Sequence, residues 1–265
     1  MKYMADHDLH IHSMLSLCSN DPEQNNQRIL RYAEDNNFKT ICVTDHFWDE
    51  TVGGASEWYS SQNYEHLAKA KPLPQGDGVK FLFGCETELR WDLTLGISGH
   101  IDKFDFIIIP TTHFHAGAFT MAPEDVTDAT SRAQAWVKKL DAVLEMDLPF
   151  HKIGIAHLTC GLIAPTREEY LRTLTLIPEN RMKILFEKAA QLGVGIELNA
   201  GSALTYTPDE ADIVLRPYIL AKQAGCKFYC GSDAHHPEKF LHSKAIFEKT
   251  VDLLGLEEKD KFVLC

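Results

Sequence analysis

The stretch Phe104–His115, FDFIIIPTTHFH, decides the fold class of this chain. Its first half, FDFIIIP, is almost continuously apolar and rich in β-branched isoleucine, which is typical of a parallel strand buried on both faces. Two histidines, His113 and His115, follow the apolar run after a short polar step. The stretch therefore predicts a buried strand over Phe104–Pro110 that is followed at once by imidazole side chains.

Other short apolar segments alternate with longer helix-like segments along the chain. The predicted strands are Asp8–His10, Thr40–Val43, Lys80–Gly84, Phe104–Pro110, Gly154–Ala156, Gly195–Leu198 and Lys227–Cys230. The predicted helices are Pro22–Asn36, Thr130–Glu145, Glu179–Leu192, Asp209–Ala224 and Leu241–Leu254. The alternation predicts an α/β fold, a distorted (β/α)7 barrel of the TIM-barrel type, with a doubly wound open sheet as the alternative. No GxGxxG or GxxxxGK(S/T) motif follows the first strand, so the usual nucleotide-binding evidence for the open sheet is missing.

Capping residues set the predicted helix ends. Asp21 precedes Pro22 in the pattern of an N-cap followed by a first-turn proline. Gly193 and Gly225 follow two of the predicted helices, at the position where a left-handed residue commonly ends a helix.

Composition limits the classes of partner and compartment. The chain has 265 residues with a formal net charge of -12, and its length fits one barrel domain over residues 1–265. The acidic balance argues against long nucleic acids, because backbone phosphates need Lys and Arg. We find no apolar run of the ~18 residues that a membrane span needs and no signal region, so a cytoplasmic, membrane-free location is expected. Seven cysteines, an odd number, favour reduced thiols.

Imidazoles and carboxylates follow six of the predicted strands. In a parallel barrel the C-terminal strand ends open onto one face, so these side chains are expected to converge. A single such histidine is usually an ordinary polar residue, and only the joint pattern indicates a site. In chain order the residues are His10, His12, Asp45, His46, Glu86, Glu88, His113, His115, His157, Asp233 and His235.

These residue types favour a cluster of divalent metal ions. Neutral imidazole and carboxylate are the usual protein ligands of zinc, manganese and iron. In an extended HxH segment, His10 and His12 point to the same side, so one ion can take both. A carboxylate such as Glu86 can bridge two ions, and ions roughly 3.5–4 Å apart can share a hydroxide and clamp a displacement at phosphorus. The sequence therefore predicts two to three divalent ions and phosphate-ester hydrolysis.

In these residues and their order, the sequence resembles the polymerase and histidinol phosphatase (PHP) family over nearly its whole length. The family has a distorted seven-stranded barrel with a trinuclear metal site. The resemblance implies a metal-dependent phosphatase that hydrolyses a small phosphomonoester, with histidinol phosphate and histidine biosynthesis as the first expectation. It also implies that a metal-activated hydroxide attacks the phosphorus atom.

The resemblance further implies a role for each matching residue. Glu86 and Asp233 are the expected catalytic carboxylates, and Glu86 would bridge the first and second ions. The implied ligands are His10, His12 and Asp233 for the first ion, Glu86, His113 and His157 for the second, and His46, His235 and one more residue for the third. At the position of that last ligand the sequence has Cys18. A thiolate binds zinc well, but Cys18 could equally be a small buried hydrophobe, which would leave Asp21 or water as the ligand.

Neighbouring polar residues complete the expected site. Arg167, expected in the loop after the fifth strand, matches an arginine that holds phosphate in similar phosphatases, and surface pairing with an acid is its alternative role. Asp45 is expected to orient His46, and Glu88 either to face away from the metals bound by Glu86 or to support them from outside. The aromatic excursion Phe47–Pro74 could wall a substrate pocket or simply cover the barrel mouth.

Other function classes stay open at this point. A phosphodiesterase or nuclease acting on nucleotides or short nucleic acids would use the same scaffold. A non-catalytic metal-binding module is a further alternative, although nearly all ligand positions are filled. Amidohydrolase-type chemistry at carbon commonly uses a carbamylated lysine, and no lysine lies at a matching strand end.

Overall fold

The computed structural model describes residues 1–199 and 201–264 and contains a parallel barrel. Seven strands pair in chain order, each parallel to the next. The strands are β1 (His7–Ile11), β2 (Thr40–Val43), β3 (Lys80–Glu86), β4 (Phe106–Pro110), β5 (Ile153–Ala156), β6 (Gly195–Leu198) and β7 (Lys227–Cys230). The prediction of a distorted (β/α)7 barrel is confirmed, because a doubly wound open sheet would not keep this sequential order.

The barrel closes between β1 and the segment that directly follows β7. Asp233 donates its backbone N–H to the carbonyl of His10 at 2.8 Å, and His12 donates to the carbonyl of Ala234 at 3.0 Å. Ile11 and Ala234 also form an isolated parallel bridge. The seam of the barrel is therefore made by residues of the predicted metal site and by their neighbours.

Helices follow most of the strands, and their apolar sides share one core with the outer faces of the strands. They are α1 (Asn26–Asp35), α2 (Glu57–Ser60), α3 (Tyr64–Leu67), α4 (Ala129–Leu144), α5 (Arg167–Leu176), α6 (Glu179–Leu192), α7 (Pro208–Gln223) and α8 (Ser243–Leu254). Within the described ranges, no helix has both the length and the apolar character to cross a bilayer.

The start of α1 differs from the prediction. The helix begins at Asn26, because the Asn25 side chain accepts a hydrogen bond from the backbone N–H of Arg28 and acts as the N-cap. Asp21 instead accepts from the N–H of Glu23 at 2.9 Å in the turn before the helix. Asp21 and Asn25 are both residue types that favour N-caps, and Asn25, directly before the helix, is the one that caps it.

Helix α5 was not predicted, and it places Arg167 at its first position rather than in a loop. Its sequence, REEYLRTLTL, contains two β-branched threonines, which lower the helix propensity. The helix begins because Thr166 accepts from the N–H of Glu169 and two acidic residues occupy the first turn. The expected left-handed glycines are present after α6 and α7, with φ of +75° at Gly193 and +89° at Gly225.

Two apolar layers explain why FDFIIIP reads as continuously apolar. Phe106 and Ile108 belong to an inner cluster, and Ile107 and Ile109 belong to the outer cluster beneath the helices. The ring of Phe106 lies 5.1 Å from that of Tyr229, although β4 and β7 are not neighbours in the sheet. The contact therefore crosses the barrel interior, and both faces of β4 are buried.

The C-terminal segment seals the lower end of the barrel, where the strands begin. Phe262 donates its N–H to the carbonyl of Phe228 at 2.8 Å, and its ring lies 5.9 Å from that of Phe106. Gly195 leaves room for this ring, since a Cβ there would lie 2.9 Å from a ring carbon of Phe262. The lower end is closed by apolar packing, which leaves the upper end as the place for polar chemistry.

Candidate metal centre

The upper end of the barrel, where the strands finish, gathers the residues expected to bind metal. Each of them ends a strand or follows one closely, so the parallel direction of the strands brings their side chains together. Asp233 and His235 remain partly accessible, with 28% and 25% of their side chains exposed. The buried members are His10, His12, His46, Glu86, His113 and His157.

Glu86 lies at the centre of this group. Its Oε1 is 3.2 Å from Nε2 of His157 and 3.6 Å from Nε2 of His10. Its Oε2 is 3.1 Å from Nδ1 of His46 and 3.4 Å from Nε2 of His12. Burial by itself would raise the pKa of the carboxyl, but the rings of His10 and His46 bring this pKa well below its usual range. Glu86 is therefore an ionised carboxylate with one oxygen on each side of the cluster.

Asp233 faces the same cluster from the barrel seam. Its Oδ1 is 3.2 Å from Nε2 of His12 and 3.5 Å from Nε2 of His10. Burial raises the pKa of the carboxyl, while the charges of His10 and His157 and a hydrogen bond to His12 lower it far more. Asp233 has φ of +52° and His157 has φ of +62°, a left-handed backbone that is uncommon for residues other than glycine. Such strain is concentrated at functional sites.

The donor set fits divalent cations. Nδ1 of His46 and Oε2 of Glu86 are buried without a hydrogen-bond partner among the described residues. The Nε2 atoms of His10 and His12 face each other at 3.2 Å, and a cation between such atoms would satisfy them together. Three groups of ligand atoms each lie within 4.8 Å of one another: His10, His12 and Glu86; Glu86, His113 and His157; and His12, Cys18, His46 and His235.

Glu197, in β6, belongs to the site, and the sequence analysis missed it. It is fully buried, and its Oε1 lies 2.5 Å from Nδ1 of His10. Its Oε2 accepts the backbone N–H of His157 at 3.0 Å. A carboxylate inside the otherwise apolar strand GIEL was the available signal, because a buried charge needs a partner. Gly231 permits this arrangement, since a Cβ there would collide with Oε1 of Glu197.

Glu88 fixes a second imidazole in the same manner. Its Oε2 is 2.8 Å from Nδ1 of His113 and accepts the hydroxyl hydrogen bond of Tyr59 at 3.2 Å. Nδ1 of His157 lies 3.1 Å from the side-chain amide of Asn199. Metal-binding histidines are usually held through the ring nitrogen that does not face the ion. Glu88 thus contacts the ring of His113 on the side away from Glu86, where it could support a metal-binding histidine from outside.

Asp45 has a different partner from the one expected. Its carboxylate accepts hydrogen bonds from the hydroxyls of Ser13, at 2.7 Å, and Ser16, at 2.6 Å. The hydroxyl oxygen of Ser16 in turn lies 3.0 Å from Nδ1 of His12. The turn after β1 packs over the end of β2 and offers these hydroxyls. Through Ser16, Asp45 is therefore linked both to the ring of His12 and to His46, whose backbone N–H donates to the Ser16 hydroxyl oxygen at 3.2 Å. The link to His46 runs through its backbone rather than its ring.

Cys18 lies at the outer edge of the cluster. It is exposed at the mouth of the pocket, and its sulfur belongs to the group with His12, His46 and His235. Partial burial and the negative charges of Glu86 and Asp233 raise the pKa of this thiol to about 12. The structure thus brings Cys18 to the imidazoles at the position that the sequence left open.

Arg167 is not brought to the site. More than half of its side chain is exposed, and it pairs with Glu210 at 2.6 Å and lies over the ring of Tyr206. Arg167 therefore has the surface-pairing role that the sequence analysis gave as the alternative. Because α5 begins at Arg167, this residue lies in the first turn of a surface helix rather than in a loop over the site. Asp21, the other candidate third-ion ligand, lies 3.7 Å from the exposed ring of His236.

A cavity of about 390 Å³ opens directly above the cluster. Aromatic side chains form one wall: the ring of Tyr59 stacks on Phe119 at 5.2 Å and meets Trp58 at 4.7 Å. No Lys or Arg occurs among the described residues that line the cavity. The lining consists of Cys18, His46, Ser56, Trp58, Tyr59, Glu86, Glu88, His113, His115, Ala116, Phe119, Leu162, Asp233 and His235.

No family model matches this chain, and no curated protein does. Solved structures do match. A histidinol phosphate phosphatase (HisK) from Lactococcus lactis, complexed with zinc, L-histidinol and phosphate, superposes with a TM-score of 0.58 at 16% identity, over 98% of this chain and 99% of that one. A structure assigned as the histidinol phosphatase HisK of Listeria monocytogenes gives a TM-score of 0.58 at 13% identity, over 88% of this chain and 96% of that one. At these identities the likeness establishes a shared fold.

Proposed function

We propose that this chain is a metal-dependent phosphoesterase of the PHP type, one barrel domain over residues 1–265 that hydrolyses a small phosphomonoester. The position of Glu86 carries the proposal, because one of its oxygens faces His157 and the other faces His46. A buried carboxylate so placed can join two cations, and paired cations are a recurrent arrangement for displacement at phosphorus.

Two to three divalent ions (zinc, manganese or iron) are the proposed cofactors. When bound, such ions lower the pKa of water toward neutrality and offset the negative charge of a phosphate group. The proposed ligands are His10, His12, Glu86 and Asp233 around the first ion, Glu86, His113 and His157 around the second, and Cys18, His46 and His235 around the third.

The protein's own residues fix these ligands. Glu197 contacts Nδ1 of His10, which leaves Nε2 as the nitrogen that faces the cluster. Glu88 contacts Nδ1 of His113 with the same result. The low pKa of Asp233 keeps its carboxylate ionised at neutral pH, so it acts as an anionic ligand and acceptor rather than as a proton donor.

The cavity favours a small ester whose alcohol part is flat and either uncharged or cationic. Trp58, Tyr59 and Phe119 line the cavity with aromatic surface, and aromatic rings attract cations. A second phosphate or carboxylate would meet no Lys or Arg in the described lining, which argues against nucleotide substrates. The Lactococcus enzyme was solved with L-histidinol and phosphate. Histidinol phosphate, and hence a role in histidine biosynthesis, is therefore the first substrate to test.

The test combines elemental analysis of the purified protein with a panel of three esters: histidinol phosphate, p-nitrophenyl phosphate and bis-p-nitrophenyl phosphate. We expect two to three transition-metal equivalents and chelator-sensitive release of phosphate from the monoesters. Hydrolysis of the diester alone would show that the protein is a phosphodiesterase rather than a phosphomonoesterase. Protein free of metal and of all three activities would contradict the proposal and leave the non-catalytic alternative.

A further inference from the structure

The outer edge of the metal centre has a different donor chemistry from its inner part. The inner groups combine imidazoles with the carboxylate of Glu86, and the carboxylate of Asp233 lies 3.5 Å from His10 beside them. The outer group consists of the sulfur of Cys18 and imidazoles of His12, His46 and His235, all with ligand atoms within 4.8 Å. Its donors therefore include a thiol and no carboxylate.

The side chains around Cys18 are already arranged for a cation. His46 is 8% exposed, and its Nδ1 is buried without a hydrogen bond, 3.1 Å from Oε2 of Glu86. The ring of His12 stacks on that of His235 with 4.1 Å between centroids and lies 4.4 Å from that of His46. Three imidazoles, one pair of them stacked, are thus packed together beside one sulfur.

The other cysteines do not share this environment. Cys226 donates its thiol hydrogen to the carbonyl of Phe186, and Cys160 lies beside the hydroxyl of Thr112. Of the six cysteines in the described part of the chain, only Cys18 is grouped with imidazoles. Cys160 is therefore a suitable control, since it is partly accessible and lies outside every such group.

We propose that Cys18 gives the outer metal position a sulfur ligand, and that this position therefore selects a thiophilic ion, zinc in the cell, over manganese or magnesium. The inference rests on the proposed metal centre and goes further, because it assigns different metal preferences to the two parts of one cluster. Thiolate favours zinc and other soft ions, whereas carboxylates accept manganese as readily. With His12 assigned to the first ion, as in the proposed metal centre, Cys18, His46 and His235 are three protein ligands for the outer position, with room for a further ligand.

The first test is spectroscopic and does not depend on turnover. The protein is stripped of metal with a chelator and titrated with Co²⁺, which gives an intense near-ultraviolet thiolate-to-cobalt charge-transfer band only when sulfur is a ligand. We expect this band in the wild type and in Cys160→Ser, and its loss in Cys18→Ser with at most one cobalt equivalent lost. Because Cys18 is exposed, its substitution should leave the fold unchanged, which circular dichroism checks.

The second test asks whether replacing the sulfur ligand by a carboxylate changes the metal preference of the outer position. Wild type and Cys18→Asp are loaded from an equimolar mixture of Cd²⁺ and Mn²⁺, desalted and analysed for both metals. In Cys18→Asp we expect the outer position to lose its preference for Cd²⁺, so that the ratio of bound Cd²⁺ to bound Mn²⁺ at this one position falls by at least about tenfold. Residues that only hydrogen-bond to a metal ligand already change metal affinity by that much, and Cys18 is proposed as a ligand itself. Bound cobalt without the charge-transfer band, or an unchanged metal ratio, would overturn this inference alone. A wild type that binds no cobalt would overturn the proposed metal centre with it.

Discussion

The two ends of the barrel solve opposite physical problems. At the lower end, Phe262 fills the opening with an apolar ring against Gly195 and Phe106, and burial of apolar surface stabilises the fold directly. At the upper end, Glu86 and Asp233 are ionised among packed imidazoles, an arrangement that costs free energy unless each charge is compensated. The difference teaches that stability and function are divided between the two ends, and that they should respond separately to mutation.

Glu86→Gln should have the largest effect. The amide keeps the shape but loses the charge that faces both sides of the cluster, so we expect metal content to fall and turnover to drop at least about a hundredfold. Elemental analysis and steady-state kinetics on a reactive monoester measure both. Glu168→Gln, at an exposed position on α5, is the matched control. Normal metal content with full activity in Glu86→Gln would remove Glu86 from the centre.

Phe262→Ala should have the opposite effect, lowering stability while leaving metal binding and activity unchanged. Removing this ring leaves a cavity at the barrel floor, so we expect the free energy of unfolding to fall by about 3 kcal/mol. Metal content and activity per folded molecule should stay at the wild-type level. Denaturant unfolding followed by circular dichroism measures the loss, and Val263→Ala, at a 66% exposed position, should change little. A large loss of metal from the folded variant would show that the ends are coupled.

Glu197→Gln should weaken metal binding by about 10- to 100-fold, because the amide holds the rings of His10 and His157 less firmly. Competition with a chromophoric chelator measures this affinity. Glu187→Gln, exposed on α6, serves as the control for a lost negative charge. Equal affinities of Glu197→Gln and wild type would reduce Glu197 to a structural residue.

Arg167→Ala should have the smallest effect, with KM and kcat within about twofold of the wild type. The arginine pairs with Glu210 on the surface, and exposed pairs of this kind contribute at most ~1 kcal/mol to stability. Arg172→Ala, exposed on the same helix, provides the comparison. A tenfold rise of KM in Arg167→Ala alone would return this residue to the substrate site.

The sequence predicted the strands of this barrel well because their apolar character is set by burial on both faces. A strand was predicted over Phe104–Pro110 from its isoleucines and is found over Phe106–Pro110, and the order of the strands followed from the alternation with helices. Helix starts were less certain, because Asp21 and Asn25 are both good caps and only the folded chain decides between them.

The convergence of the ligand-type residues was also predictable, because each follows a strand and parallel strands end on one face. Glu197 was missed since it lies inside a strand rather than after it. The sequence offered both a substrate role and a surface role for Arg167 and could not choose between them, because the choice depends on Glu210, which lies 43 residues further along the chain. Local sequence patterns are enough to predict which side chains lie at strand ends. Pairs formed between distant segments become visible only in the folded structure.

The seam between β1 and the residues after β7 has a consequence for how this protein matures. His10 and Asp233, two proposed ligands of the first ion, lie far apart in the sequence and are linked by a backbone hydrogen bond. A ribosome must therefore deliver the chain at least as far as Asp233 before the proposed first ion could be bound in its final setting. A bound ion would hold β1 and the segment after β7 together. Backbone amide hydrogens along this seam should therefore exchange more slowly in the metal-bound protein than in the metal-free protein.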